Sequence, residues 1–224
     1  LGPAAFDAVR IVRSFHSNEQ ASGTQHAPAK TCDGLITAAF TIDMLVGCRH
    51  IQGDLVISNS ELVSLKPLED VESISGGLIV SNNSLLQSLA GLAQDVTVGS
   101  SADGVSIKIS DNPVLDDVHG LEKVVNAVPG AVLIDANPHL NSIDSLHGIT
   151  SVGADSTGVG LLVSNNPALS SVEGLASIVA VDGSVQITNN SLLDSIDPLL
   201  TNLQSIGTDN NGVSIAIQET PQRS

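Results

Sequence analysis

The sequence predicts an all-β chain, a right-handed parallel β-solenoid of about six to seven coils with a disulfide cap at its N-terminal end. Three observations carry the prediction. A short aliphatic segment ending in Asn is rewritten along the chain. Aliphatic residues follow each copy at constant spacing. The only two cysteines, Cys32 and Cys48, stand just ahead of the array. Repetition at a period of about 20–50 residues is the signature of a solenoid, and parallel crossovers are right-handed.

Residues 1–31 precede the repeat and form a first region. Ala5, Phe6, Val9 and Val12 recur at helical spacing, which predicts a short amphipathic helix over 4–14. Polar residues with Gly and Pro over 17–31 predict a linker. The chain opens on Leu1 and reads as a processed or excised piece. The second region, 32–224, is the solenoid.

Cys32 and Cys48 lie 16 positions apart, directly before the first coil. A first coil has a neighbour on one side only, so its apolar edge needs a cover, and a disulfide staple there supplies one. A redox or metal pair is the rival reading, but it lacks a C-x-x-C spacing and neighbouring ligand residues. The disulfide reading implies an oxidising compartment.

The clearest copy of the repeat is Leu78-Ile79-Val80-Ser81-Asn82-Asn83. It returns as Ile107–Asn112, Val132–Asn137, Leu161–Asn166 and Val185–Asn190, with a shorter early version at Leu55–Asn59 and a last one at Ile215–Gln218. With Asn59, Asn83, Asn112, Asn137, Asn166 and Asn190 as origin, positions three, six and nine later are aliphatic in every coil. Those positions point inward, so the Asn column lies among buried residues and needs partners. A ladder of amides bonded to the backbone of adjacent coils provides them. Eight residues after each Asn stand Pro67, Gly91, Gly120, Ser145, Gly174 and Pro198, which are corner formers.

Here the cap and the coil together resemble a known family. Cys32, a mixed segment, then Cys48-x-x-Ile51-x-Gly53-x-Leu55-x-Ile57 is similar to the N-terminal cap of the receptor L domain. The resemblance covers about 32–219. It implies an L-domain, leucine-rich-repeat-like solenoid and a non-enzymatic role in recognition, as in the ligand-binding lobes of insulin- and epidermal-growth-factor-type receptors and in fungal cell-surface proteins.

The Asn-to-Asn intervals alternate, 24, 29, 25, 29 and 24 residues. Five extra residues fall between Val98 and Gly104, Val152 and Gly158, and Ile206 and Gly212. On every second coil, such loops form a ridge of knuckles spaced roughly 9.6 Å, twice the strand spacing. The ridge reads equally as a binding edge or as a duplicated two-coil unit that tolerates length.

Chemistry is sparse. No nucleophile, base and orienting group converge, and the six His fall at different coil positions. No phosphate loop or metal-type Cys/His spacing occurs, so neither an enzyme nor a cofactor is expected. His119, Asp144, Glu173 and Asp197 share one corner column, where a cation bridging the acids competes with plain turn formation. A formal charge of −16 argues against nucleic acid and against an anionic membrane surface. No apolar run reaches the roughly 20 residues of a membrane span.

Outward strand positions are Val56, Ile79, Lys108, Leu133, Leu162, Gln186 and Ala216. Val56, Ile79, Leu133 and Leu162 make an apolar stripe, the candidate partner face. Ser58, Ser81, Ser110, Ser164 and Thr188 form a hydroxyl row beside it. Two N-x-S motifs start at Asn82 and Asn189, the candidate glycosylation sites. The expected function is a secreted or cell-surface recognition and adhesion module that binds a protein or glycan on its strand face. The alternative is a structural subunit of a larger assembly or filament, or part of a longer chain.

Overall fold

The computed structural model describes residues 30–33, 39–92 and 95–218. The helix expected over 4–14 lies outside the described residues. Seven strands form one parallel sheet and define seven coils: Leu55–Ser58, Leu78–Ser81, Val105–Ser110, Ala131–Asp135, Val159–Ser164, Ser184–Thr188 and Ile215–Gln218. Each of the five inner strands pairs in parallel with the strand one coil before and one coil after, and the register shifts only near the starts of Val105–Ser110 and Val159–Ser164. These are β-branched and aliphatic runs, and inward–outward alternation, clean in Leu55–Ser58 and Leu78–Ser81, gives them the pleat of a half-buried sheet.

A second side is built from short parallel strands in two groups. Lys30–Asp33, Cys48–Gln52, Ser73–Ile74 and Thr97–Val98 form one sheet; Asn126–Val128, Ile149–Val152, Ala180–Val181 and Ser205–Ile206 form the other. A bridge between Val96 and Val124 joins them. The first strand takes in Lys30 and Thr31, which the sequence assigned to the linker.

Corners close the third side. They are tight turns, 3-10 turns such as Asp144–Gly148, and in coil six a short α-helix at Asp197–Asn202. A column that reads as mere surface in the sequence caps them. Ser64, Ser88, Asp117, Ser142, Ser171 and Ser195 each accept, through a side-chain oxygen, the backbone N–H two residues on. Gly174 faces its neighbouring coil so closely that a Cβ there would stand 1.9 Å from the Ile143 carbonyl oxygen. Gly at this corner permits the coil stacking.

The core is a thin aliphatic filling between the three sides, with the three Leu, Ile or Val positions of every complete coil buried. Asn83, Asn112, Asn137, Asn166 and Asn190 run through it fully buried. The Nδ2 of Asn112 donates to Val80 O at 3.1 Å and its Oδ1 accepts the Asn83 N–H at 3.1 Å. Asn137, Asn166 and Asn190 repeat both bonds one coil further on. Every buried side-chain N or O atom among the described residues has a partner.

Coil one corrects one position of this ladder. Its buried residue is Ser60, whose N–H and hydroxyl both donate to Asn83 Oδ1 at 3.2 and 2.6 Å. Asn59 instead sits in the exposed column one residue earlier, with φ 52°. That column is Asn59, Asn82, Asp111, Ala136, Asn165 and Asn189, all left-handed with φ between 52° and 57°. Asn and Asp adopt this conformation at low cost, whereas Ala does not.

The N-terminal cap forms as the cysteine pair implied. Cys32 and Cys48 are joined, with Cα atoms 6.0 Å apart. The strand Lys30–Asp33 pairs with Cys48–Gln52, setting Cys32 opposite Ile51. A 3-10 segment, Ala39–Leu45, buries Ile42 and Leu45 over coil one. Lys30 ties it down through Nζ bonds to Met44 O and Val46 O.

The long loops expected as a ridge of knuckles also touch one another. The Ser156 N–H donates to Asp103 O at 2.9 Å, and the Asn210 N–H donates to Thr157 O at 3.0 Å. They meet over the short turns between them: Gly104 O accepts the N–H of Ala131, and Gly158 O that of Ser184. A Cβ on Gly130 would lie 2.2 Å from Gly104 O, and one on Gly183 2.3 Å from Gly158 O. Alternation thus has a packing cause: each short glycine turn is the floor on which two longer loops close.

Candidate binding face

The outward column of the seven-stranded sheet is built as the alternation requires. Val56, Ile79, Lys108, Leu133, Leu162, Gln186 and Ala216 stand on one row, each paired in register with the next. All seven are half-buried, because neighbours one coil apart cover one another's flanks. Lys108 divides the aliphatic residues into Val56–Ile79 and Leu133–Leu162. Among the described residues its ammonium makes no hydrogen bond or ion pair.

The next outward row is Ser58, Ser81, Ser110, Asp135, Ser164, Thr188 and Gln218. Asp135 interrupts the hydroxyl row, a residue that the sequence pattern passes over. Its Oδ1 accepts the Ser164 hydroxyl and, at 2.8 Å, the Asn165 Nδ2. Ser110 and Ser164 are buried between their neighbours, so they offer little hydroxyl surface.

Of the fourteen side chains in these two rows, only Lys108 and Asp135 carry charge. The whole chain has 24 acids against 8 bases, yet the described acids other than Asp135 lie off these two rows. Desolvating a charge is expensive, and a surface spared it is cheap to bury against another molecule.

Among the described residues the acids elsewhere do not assemble. His119, Asp144, Glu173 and Asp197 are exposed on their corner column, and His119 Nδ1 stands 3.6 Å from Glu122. Among the described residues no three His, Cys, Asp or Glu side chains gather around a common point. In the loops, Asp155 and Asp209 occupy equivalent positions that Asp103 does not share. Asp155 Oδ1 accepts the N–H groups of Thr157 and Val159 at 2.8 and 3.0 Å. Asp209 does the same for Asn211 and Val213 at 2.8 and 2.9 Å. The Val213 N–H is the main reason that the exposed Asp209 carboxyl is held below its usual range, with Asn211 and Gly212 adding to it. These carboxylates clasp their own loops.

Asn82 and Asn189 are exposed at the left-handed margin of the strand face, with Ser84 and Ser191 exposed after them. No helix among the described residues is long and apolar enough to cross a membrane.

A stapled first coil, a stacked amide ladder and a flat strand face of low charge define a leucine-rich-repeat-like β-solenoid scaffold. Residues 47–148 match the family model of the receptor L domain, which bears out the resemblance over those residues. The match begins one residue before Cys48 and runs through the corner of coil four. Coils five to seven keep the same register beyond it. Receptor L domains are ligand-binding, non-catalytic modules of receptors, and with the disulfide they indicate an extracellular or cell-surface setting. Among curated proteins and among solved structures, no match to the chain was found.

Proposed function

We propose that this chain is a cell-surface recognition module that binds a protein partner on the outward face of its seven-stranded sheet. The observation that carries the reading is the charge pattern. In a strongly acidic protein, the two central outward rows hold one base and one acid, and the acid is already hydrogen-bonded. The aliphatic pairs Val56–Ile79 and Leu133–Leu162 suit an apolar protein surface better than a sugar. Lys108 between them suits a carboxylate on that partner.

The test places a photo-crosslinking residue at Leu162 and, as a control, at Thr150 on the second side, in protein displayed in its native setting. A partner captured from position 162 and not from 150 supports the face. Equal capture, or capture from 150 alone, removes it. Leu133→Lys with Leu162→Lys abolishes capture, because an unpaired charge would be buried at the contact. The same double variant changes stability far less than Leu140→Ala, a core truncation costing about 2–5 kcal/mol. If it melts like the core variant, the face is packed within the chain.

A second reading, assembly into a larger particle, has an observation of its own. Ile215 occupies an inward position on coil seven yet is 42% exposed, and its strand pairs on one side only among the described residues. Particle mass in solution separates the two, since an assembly leaves little single-chain species.

A further inference from the structure

We propose that Asn82 and Asn189 both carry N-linked glycans and that the two glycans bracket the middle of the strand face. The second half rests on the strand-face reading above; the first does not. Both residues open N-x-S motifs, Asn82-Asn83-Ser84 and Asn189-Asn190-Ser191, and these are the only two in the chain. Folding puts them in one row, the exposed left-handed column at the end of the sheet strands. Asn59 and Asn165 share that row, but Glu61 and Pro167 stand where the hydroxyl is required.

The amide chemistry fits a row residue and excludes a ladder residue. Transfer joins Nδ2 to C1 of an oligosaccharide carried on a polyprenyl diphosphate. The C1–O bond to the diphosphate breaks, the lipid diphosphate leaves, and one Nδ2 proton is lost to solvent. The product keeps one N–H. Asn82 uses a single Nδ2 bond, to Asn59 Oδ1, and Asn189 a single one, to Asn165 Oδ1 at 2.9 Å. The remaining proton preserves that bond after glycosylation. In the ladder, Asn112 Nδ2 contacts Val80 O, Ser110 O and Asn137 Oδ1 and has no solvent access, so a sugar there would break the core.

Asn82 leads out of coil two and Asn189 out of coil six, four coils apart, or roughly 19 Å at the strand spacing. Between them lie Lys108, Leu133 and Leu162. A partner approaching over this margin is confined to coils three to five, the stretch that contains the lone base and the larger apolar pair.

The experiment is glycopeptide mass spectrometry on the full chain from its native source, with enzymatic deglycosylation in heavy-oxygen water to mark each occupied Asn. Both Asn82 and Asn189 are expected to be marked, and Asn59 and Asn165 not. In a eukaryotic secretory host, Ser84→Ala and Ser191→Ala each remove one glycan while leaving the Asn row, and the melting temperature of the deglycosylated protein, unchanged. Either site found bare in native protein overturns the proposal, whatever the cross-linking shows. Two occupied sites with no capture from Leu162 leave the glycans standing and defeat the strand-face reading and the bracket with it.

Discussion

The Nδ2 of Asn137 donates to Ile109 O at 3.0 Å while its Oδ1 accepts the Asn112 N–H at 3.1 Å, so one side chain satisfies the preceding coil's backbone twice. Both partners lie where water does not reach. Asn137→Leu keeps the volume and strands both groups, each costing about 1–3 kcal/mol when left unpaired. The expected loss is roughly 3 kcal/mol or more in urea-unfolding stability, larger than for any exposed Asn of the neighbouring row. A loss under about 1 kcal/mol would show that the ladder is decoration.

Cys32→Ser acts at one end only. Opening the loop closed by the disulfide removes about 3 kcal/mol on the chain-entropy model. A solenoid couples nearest neighbours, so hydrogen exchange should accelerate in Cys48–Ser58 and little beyond coil three. Uniform acceleration through coil seven would count against this locality.

Ala136 is the one residue without a polar side chain in the left-handed row, at φ 55°. Ala136→Asn replaces a conformation that costs Ala roughly 1–2 kcal/mol with one that Asn tolerates. We expect a gain of about 0.5–1 kcal/mol and a melting temperature raised by about 1–4 °C. The substitution creates no N-x-S motif, because Pro138 follows Asn137.

Asp209 gives a pH signature. Its carboxyl is held below the ordinary value chiefly by the Val213 N–H, so the clasp is complete above the unfolded pKa of about 3.9. It is lost as pH falls through the lower, folded pKa. Exchange of the Val213 amide should quicken on acidification across that window, after correction for its intrinsic rate. Asp209→Asn should flatten the response, and an unchanged profile in that variant would assign the effect elsewhere.

Much of the fold is legible because the coil repeats its chemistry. Aliphatic positions three, six and nine after each Asn can only be one buried stripe seen repeatedly, and the outward row follows from alternation alone. What slipped is instructive. Asn59 and Ser60 exchange roles because two adjacent columns both favour Asn, as in Asn82-Asn83, and coil one shows only one Asn. Spacing to Leu62 then points to the wrong residue, since that coil is one residue shorter after the ladder. The contact between long loops was hidden for another reason. Spacing along the chain counts coils, but it does not reveal that the loops lean across glycine turns to reach one another. Asp135 escapes the row of hydroxyls because a carboxylate that accepts from Ser164 and Asn165 fills the same place.

The loop contacts also set how the molecule would come apart under tension. A coil tugged from its C-terminal side must shed its ladder bonds, but Gly104 O and Gly158 O hold the following coils as well, and each long loop grips the next across an intervening turn. Rupture therefore proceeds in two-coil steps. Asn83 to Asn137 is 54 residues, so each step releases roughly 190 Å of chain at about 3.5 Å per residue. Pulled from its C-terminal side, the chain would lengthen in discrete increments while the stapled first coil stays folded.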